Sequence, residues 1–252
     1  MANRNDIVSY LNDYLSIKAI SDKSMNGLQV EGAEEVFKVA LATDAALATY
    51  EKAAAAGAQM LLVHHGFIWG GLRYITGRNY DHLKYLISNN LNLYAAHLPL
   101  DMHPEVGNNA LLATMIGLKR IRPFGEYMGT AVGFGGRLPE PMTVKQLEAL
   151  YEKELDTTAD TIAFGPDKIE TVAIVSGGGA STLGEAIDSG YDCLITGEGS
   201  HDKYHQAKEG NIHLMYLGHY KTETGGVKAM GEKLKERFPL IETVFIDEPT
   251  GY

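Results

Sequence analysis

Cysteine is almost missing from this chain. Cys193 is the single cysteine among 252 residues, so no disulfide can form within it. It sits in the apolar run Cys193-Leu194-Ile195, a place for a small core residue rather than a ligand or nucleophile. Long apolar runs are missing too: none approaches the ~20 residues needed to cross a bilayer. The opening Met1-Ala2-Asn3-Arg4-Asn5-Asp6 is not that of a signal peptide, and a cytoplasmic location is the expectation. Basic clusters are scarce. Nothing exceeds Lys119-Arg120-Ile121-Arg122, and the formal net charge is −10, which argues against broad electrostatic binding to nucleic acid. A small phosphorylated ligand stays open, because a metal can supply positive charge locally. Neither a Walker loop nor the Rossmann glycine spacing occurs.

What is present is ordinary globular composition, 45% apolar and 21% charged, in a length that suits one large domain or two small ones. Strand and helix patterns alternate, as in α/β folds. The reading gives helices over 5–16, 45–56, 79–89 and 107–117, with strands over 37–43, 59–63 and 91–96. Asp44 is the expected cap of the alanine-rich helix, and Gly57 ends it. Further on come strands 171–175, 192–196, 212–217 and 242–246, and helices 181–188, 200–208 and 225–237. The expected division is a first half over 1–121, a short connecting segment over 122–168, and a second half over 169–252. The connecting segment holds the strand-like Ala131-Val132-Gly133-Phe134 and a short helix from near Thr143.

The chain also resembles itself. Residues 39–66 slid forward by 133 positions fall on 172–199 without a gap, and seven of the 28 pairs are identical: Val39, Ala40, Thr49, Ala53, Gly57, Leu61 and Gly66. At an offset of 122, His97 falls on His219 and Asp101 on Glu223. An internal duplication of a strand–helix–strand–helix–strand unit explains this, with ligands at the same strand ends in both copies. The alternative is that any two such units share a common rhythm.

Three histidine-bearing strand ends stand out: Val63-His64-His65-Gly66, His97-Leu98-Pro99-Leu100-Asp101 and His219-Tyr220-Lys221-Thr222-Glu223. Imidazole with carboxylate is the ligand set of borderline divalent ions such as zinc, manganese or iron. Carboxyl ends of strands are where open α/β sheets take ligands. Neighbouring strand residues point to opposite sides, so His64 and His65 are expected to serve two different ions, about 3.5–4 Å apart in a two-metal site. A carboxylate such as Glu223 can bridge such a pair. Each histidine could instead be a hydrogen-bonded structural residue. His201 and His205, one helical turn apart, read as a solvated face. His103 reads as lining an entrance, and His82 and His213 as packing. Ser176-Gly177-Gly178-Gly179-Ala180-Ser181-Thr182 runs from strand to helix, either as an anion cradle or as a permissive turn capped by Ser181.

Asn26-Gly27-Leu28-Gln29-Val30, His64-His65-Gly66, His97-Leu98-Pro99-Leu100-Asp101 with Gly107-Asn108-Asn109, Gly197-Glu198, and Gly218-His219 with Glu223 occur in this order. Together they resemble the Nif-three-like family, also catalogued as GTP cyclohydrolase 1 type 2 homologues or dinuclear metal centre proteins. The match runs over about residues 6–248. The resemblance implies two similar, interlocked α/β halves, a dinuclear site at strand carboxyl ends between them, and a homohexameric toroid. It implies His64, His65, Asp101, His219 and Glu223 as ligands of two divalent ions per subunit. His97 would lie beside the site as proton relay or additional ligand. The expected catalytic residues are His97, as general acid/base, and Glu223. Metal-bound hydroxide suits attack on a purine five-membered ring, as a GTP cyclohydrolase requires, and equally suits phosphate esters or amides. A non-catalytic, ring-forming scaffold or metal-handling protein is the alternative. No guanine-reading motif is visible, and the large extra domain of some relatives is absent.

Overall fold

A computed structural model describes residues 1–71 and 74–252. The chain forms two compact units. The first comprises Met1–Leu100 and Gly226–Glu248, and the second Asp101–Gly225 and Pro249–Tyr252.

The first unit is built on a five-stranded sheet ordered Glu242–Phe245, Lys38–Asp44, Met60–His65, Asn92–Ala95, Gly27–Val30. The first four strands run parallel and the last antiparallel. Its central strands are apolar on both faces because both faces are covered: Val39 to Ala42 and Met60 to Val63 are all buried. Alternate residues share a face, and Ala40, Ala42, Leu61, Val63, Leu93 and Ala95 make one core. Tyr50 and Ala53 of the helix Leu47–Ala55 and Leu86 of the helix Arg78–Ser88 complete it. The helix entry differs from expectation. Thr49, not Asp44, fastens it, with its hydroxyl accepting from Ala46 N at 3.0 Å and donating to Asp44 O at 2.8 Å. The Asp44 carboxylate is engaged elsewhere, on His65.

The second unit carries a six-stranded sheet ordered Lys119–Tyr127, Thr130–Met142, Ile169–Val175, Cys193–Thr196, His213–Tyr216, Asp160–Ala163. The three strands from Ile169 to Tyr216 are parallel, and antiparallel strands flank them. Here the expected boundaries give way. Much of the supposed connecting segment, 122–168, is sheet: it contributes to three of the six strands. Lys119–Tyr127 and Thr130–Met142 form a hairpin whose two turn residues, Met128 and Gly129, both have positive φ (51° and 80°), the hairpin-matched turn. The helix Val144–Leu155 starts in a capping box between Thr143 and Gln146 and sends Leu147 and Tyr151 into the core of Ile169, Val172, Ile174, Cys193 and Ile195. The end of the chain also differs from expectation. Glu242–Phe245 pairs with Lys38–Asp44 and so belongs to the first unit, covering what would otherwise be a long exposed strand edge.

The two sheets share an internal order. Val39 stands opposite Met60, and Val172 opposite Cys193, the same separation along the chain. In each, a third parallel strand follows, flanked by an antiparallel strand drawn from upstream sequence. A duplicated unit would give this arrangement.

Candidate metal centre

In the first unit, His64 and His65 end the strand Met60–His65, and His97 follows the adjacent strand Asn92–Ala95. His64 is fully buried, with Nδ1 3.0 Å from the carbonyl oxygen of Ala96. A carbonyl can only accept, so Nδ1 carries the hydrogen and Nε2 the lone pair. His65 Nδ1 lies 2.8 Å from Asp44 Oδ1, and His97 Nδ1 3.0 Å from both oxygens of Asp22. The three imidazoles are therefore oriented alike, each through Nδ1, the way hydrogen-bond partners behind a metal-ligating histidine fix its ring. Their ligand atoms lie within 4.8 Å of one another. The rings of His64 and His65 lie with their centroids 4.7 Å apart. Asp44 stands opposite His65 in the strand register and holds its ring.

The motif Asn26-Gly27-Leu28-Gln29 fastens these strand ends. Gln29 Oε1 accepts from Phe67 N at 2.8 Å and Ile68 N at 3.0 Å, fixing the turn beyond His65. A side chain at Gly66 would overlap Gln29 and Ala95, so only glycine fits. Asn26 Oδ1 accepts from His97 N, and its amide donates to Asp22 Oδ2 at 2.9 Å. Asp22 also accepts from Ser24 N and Leu98 N. Burial alone would raise the Asp22 pKa. The hydrogen bond and charge of His97, with donation from Asn26 and Ser24, outweigh it and bring the carboxyl from 3.8 down to about 2. The Trp69 indole packs edge-on to His97 at 4.9 Å and donates to Gly66 O.

The second unit brings together Asp101, His219 and Glu223 with partners of their own. Asp101, 5% exposed, ends the short helix Leu98–Asp101, and its Oδ1 accepts from Asn108 Nδ2 at 2.8 Å and Ser176 Oγ at 3.0 Å. Buried Asn109 holds this corner, donating to Asp101 O and Val132 O and accepting from Ser176 N. The helix His219–Arg237 begins six residues before the expected 225, so His219 and Glu223 lie on one helical face. His219 Nε2 is 3.1 Å from Glu223 Oε2, and Nδ1 3.1 Å from Glu198 Oε1. Burial would lower the His219 pKa, but hydrogen bonds and charge from Glu223 and Glu198 prevail and lift it from 6.5 to about 9.

Gly177, with φ of 59°, shows what the glycine run is for. A Cβ there would overlap Glu223 Oε1 and come within 2.9 Å of His219 Nε2. Two amides of the loop are engaged within the chain, Ser176 N on Asn109 Oδ1 and Gly177 N on Thr222 Oγ1. Ser181 lies within a short 3-10 turn and does not cap the following helix.

Other histidines divide as their surroundings dictate. His201 and His205 are exposed. His82 stacks on Phe67, and His213 Nε2 lies 2.8 Å from Pro166 O. His103 fastens a turn, its Nδ1 accepting from Glu105 N and Val106 N. Cys193 is fully buried, and burial pushes its thiol well above the ordinary range, which leaves it inert. Sequence reasoning missed Asp22, Asp44, Glu198, Asn108 and Ser176 as partners. Glu198 and Asn108 stood inside motifs already noted, and Asp22 lies four residues before Asn26.

Fold and site define an α/β protein with oriented imidazoles at strand carboxyl ends and buried carboxylates on helices, side chains of the kind that bind divalent metal. The chain matches the family described as Duf34/NIF3 (NGG1p interacting factor 3) over residues 2–251, and it belongs to that family. It is 47% identical over 249 residues to a GTP cyclohydrolase 1 type 2 homolog of Pyrococcus abyssi, covering 98% of this chain and 99% of that one. A protein of the same name from Escherichia coli is 38% identical, with 97% of each chain covered. A solved structure from Thermus thermophilus superposes with a TM-score of 0.92 at 39% identity, covering all of both chains. Reduced HcgD from Methanocaldococcus jannaschii, at 24% identity and a TM-score of 0.86 over 98% of each chain, shares the fold. Among the described residues, no helix is long and apolar enough to cross a membrane.

Proposed function

We propose that this chain is a divalent-metal-dependent hydrolase acting on a small substrate, nucleotide or phosphorylated. Two divalent ions would be held by His64, His65, Asp101, His219 and Glu223. The observation that carries the reading is the common orientation of the imidazoles. His64, His65 and His97 each have Nδ1 on an oxygen, which commits Nε2 to whatever the cluster binds. Nitrogen with carboxylate oxygen suits zinc, manganese or iron.

Bound divalent ions would supply Lewis acidity and lower the pKa of water. The chain's residues do the rest. Asn108 and Ser176 fix one oxygen of Asp101. Glu198 fixes the His219 ring. His97 is the general acid/base, its ring held through Nδ1 on the Asp22 carboxylate. The relatives' name supports GTP as the first substrate to try, with phosphoesters next. Assembly as a homohexamer is part of the same proposal, by the family resemblance.

The test is the metal content of purified protein beside Glu223→Ala, under metal-replete conditions. A two-metal site predicts about two ions per wild-type chain and a sharp fall in the variant. One ion or none overturns the dinuclear reading. Full loading without turnover of GTP or phosphoesters favours the non-catalytic scaffold.

A further inference from the structure

Of the three oriented histidines in the first unit, His97 is held differently from the others. His64 is fixed by a neutral carbonyl, and His65 by a carboxylate with 35% of its side chain exposed. The carboxylate on His97, that of Asp22, is 2% exposed. Asp22 uses both oxygens fully. Oδ1 accepts from Ser24 N, Oδ2 from Asn26 Nδ2 and Leu98 N, and both lie 3.0 Å from His97 Nδ1. Among the described residues its ion-pair partner is His97 alone. An amide in its place would turn its NH2 toward a donor in either orientation, so the site is built for a carboxylate. His97 is fixed from other sides too, through its backbone N on Asn26 and its ring against Trp69.

We propose that Asp22 is the positioning residue of a carboxylate–imidazole pair: it holds the hydrogen on His97 Nδ1 and keeps Nε2 as a fixed lone pair facing the substrate water, so that His97 is a proton acceptor and not a metal ligand. In the step implied, an O–H bond of water breaks as its oxygen bonds to the electrophilic centre of the substrate. That centre's bond to the departing oxygen or nitrogen breaks, with its electron pair passing to the departing atom. The proton passes to Nε2, and the resulting imidazolium keeps its Nδ1 hydrogen on Asp22. No electron transfer or co-reactant is needed. This rests on the metal-hydrolase reading above.

The experiment uses zinc-loaded full-length protein labelled with 15N-histidine, His97 being assigned from the resonances lost in His97→Gln. The proposal expects His97 with Nδ1 protonated and Nε2 in the unmetallated, lone-pair state, and unchanged zinc content in His97→Gln. In Asp22→Ala the hydrogen shifts to Nε2, also with zinc retained. A metallated or hydrogen-bearing Nε2 in the wild type overturns the proposal, as does loss of zinc in His97→Gln. If Asp22→Ala does not fold, by circular dichroism, the wild-type spectrum and the His97→Gln zinc content decide alone. If the wild type binds no zinc, the metal reading fails separately, and the metal-free spectrum still reads which nitrogen of His97 carries the hydrogen.

Discussion

A histidine can present either ring nitrogen, and in this chain the choice is made by residues distant in sequence. Asp22 reaches His97 across 75 positions, and Asp44 reaches His65 across 21. That is why the histidines themselves were legible in sequence, as paired or spaced imidazoles at strand ends, whereas their orienting carboxylates were not. A lone aspartate in a loop carries no signal until the sheet brings it alongside. Gly177 was legible only as a glycine, with two uses open. Its positive φ and its closeness to Glu223 decide for clearance. Gly177→Ala should therefore lose about 1–3 kcal/mol of stability, the range for a residue forced into a sparsely populated backbone region. It should also lose metal, because the new methyl displaces the Glu223 carboxylate. Denaturant midpoints and zinc content of the purified variant check both, and retained zinc with unchanged stability would contradict the assignment.

At the scale of elements, the apolar strands and the helices between them were readable because their burial is two-sided and their ends carry glycine or histidine. What misled was polarity. The strand Lys119–Tyr127 has seven of its nine residues exposed, so it reads as a linker although it lies in a sheet. Gly225 and Gly226 hid the true start of the helix His219–Arg237, because a glycine pair argues for a helix boundary. The structure keeps Gly225 inside the helix, where a Cβ would press on Leu111 at 3.1 Å. The helix Val144–Leu155 supplies the test that 122–168 belongs to a folded unit. Leu147 is fully buried in the core with Val172 and Ile195. Leu147→Ala should cost about 2–5 kcal/mol, the range for truncating a core leucine. Equilibrium unfolding measures it, and a change below about 0.5 kcal/mol, as at an ordinary surface site, would return the helix to linker status.

For the whole molecule, pH and metal act on the same groups with opposite sign. In the metal-free protein the His219 pKa is raised from 6.5 to about 9 by Glu223 and Glu198 against the pull of burial. A group bound more tightly to its proton when folded stabilises the fold fully below pH 6.5, and that contribution is lost as pH rises through about 9. Metal offsets the dependence. Under the proposed ligation His219 must release its proton to bind an ion, so affinity climbs by roughly tenfold per pH unit for each proton displaced, until pH passes about 9. Ligand bound only to the folded state adds about 2.7 kcal/mol of stability at a hundredfold excess over Kd. Urea midpoints between pH 6.5 and 9 should therefore fall with rising pH in EDTA and stay nearly level at fixed, saturating buffered free zinc, because the gain in affinity and the loss of the protonated pair involve the same proton. Glu223→Ala removes the larger carboxylate contribution and a proposed metal ligand, so the EDTA slope should flatten and the gap between the two curves should close. Parallel curves with and without zinc would mean that the ion binds elsewhere. The His219–Glu223 pair would then be an ion pair of the fold, and no metal ligand at all.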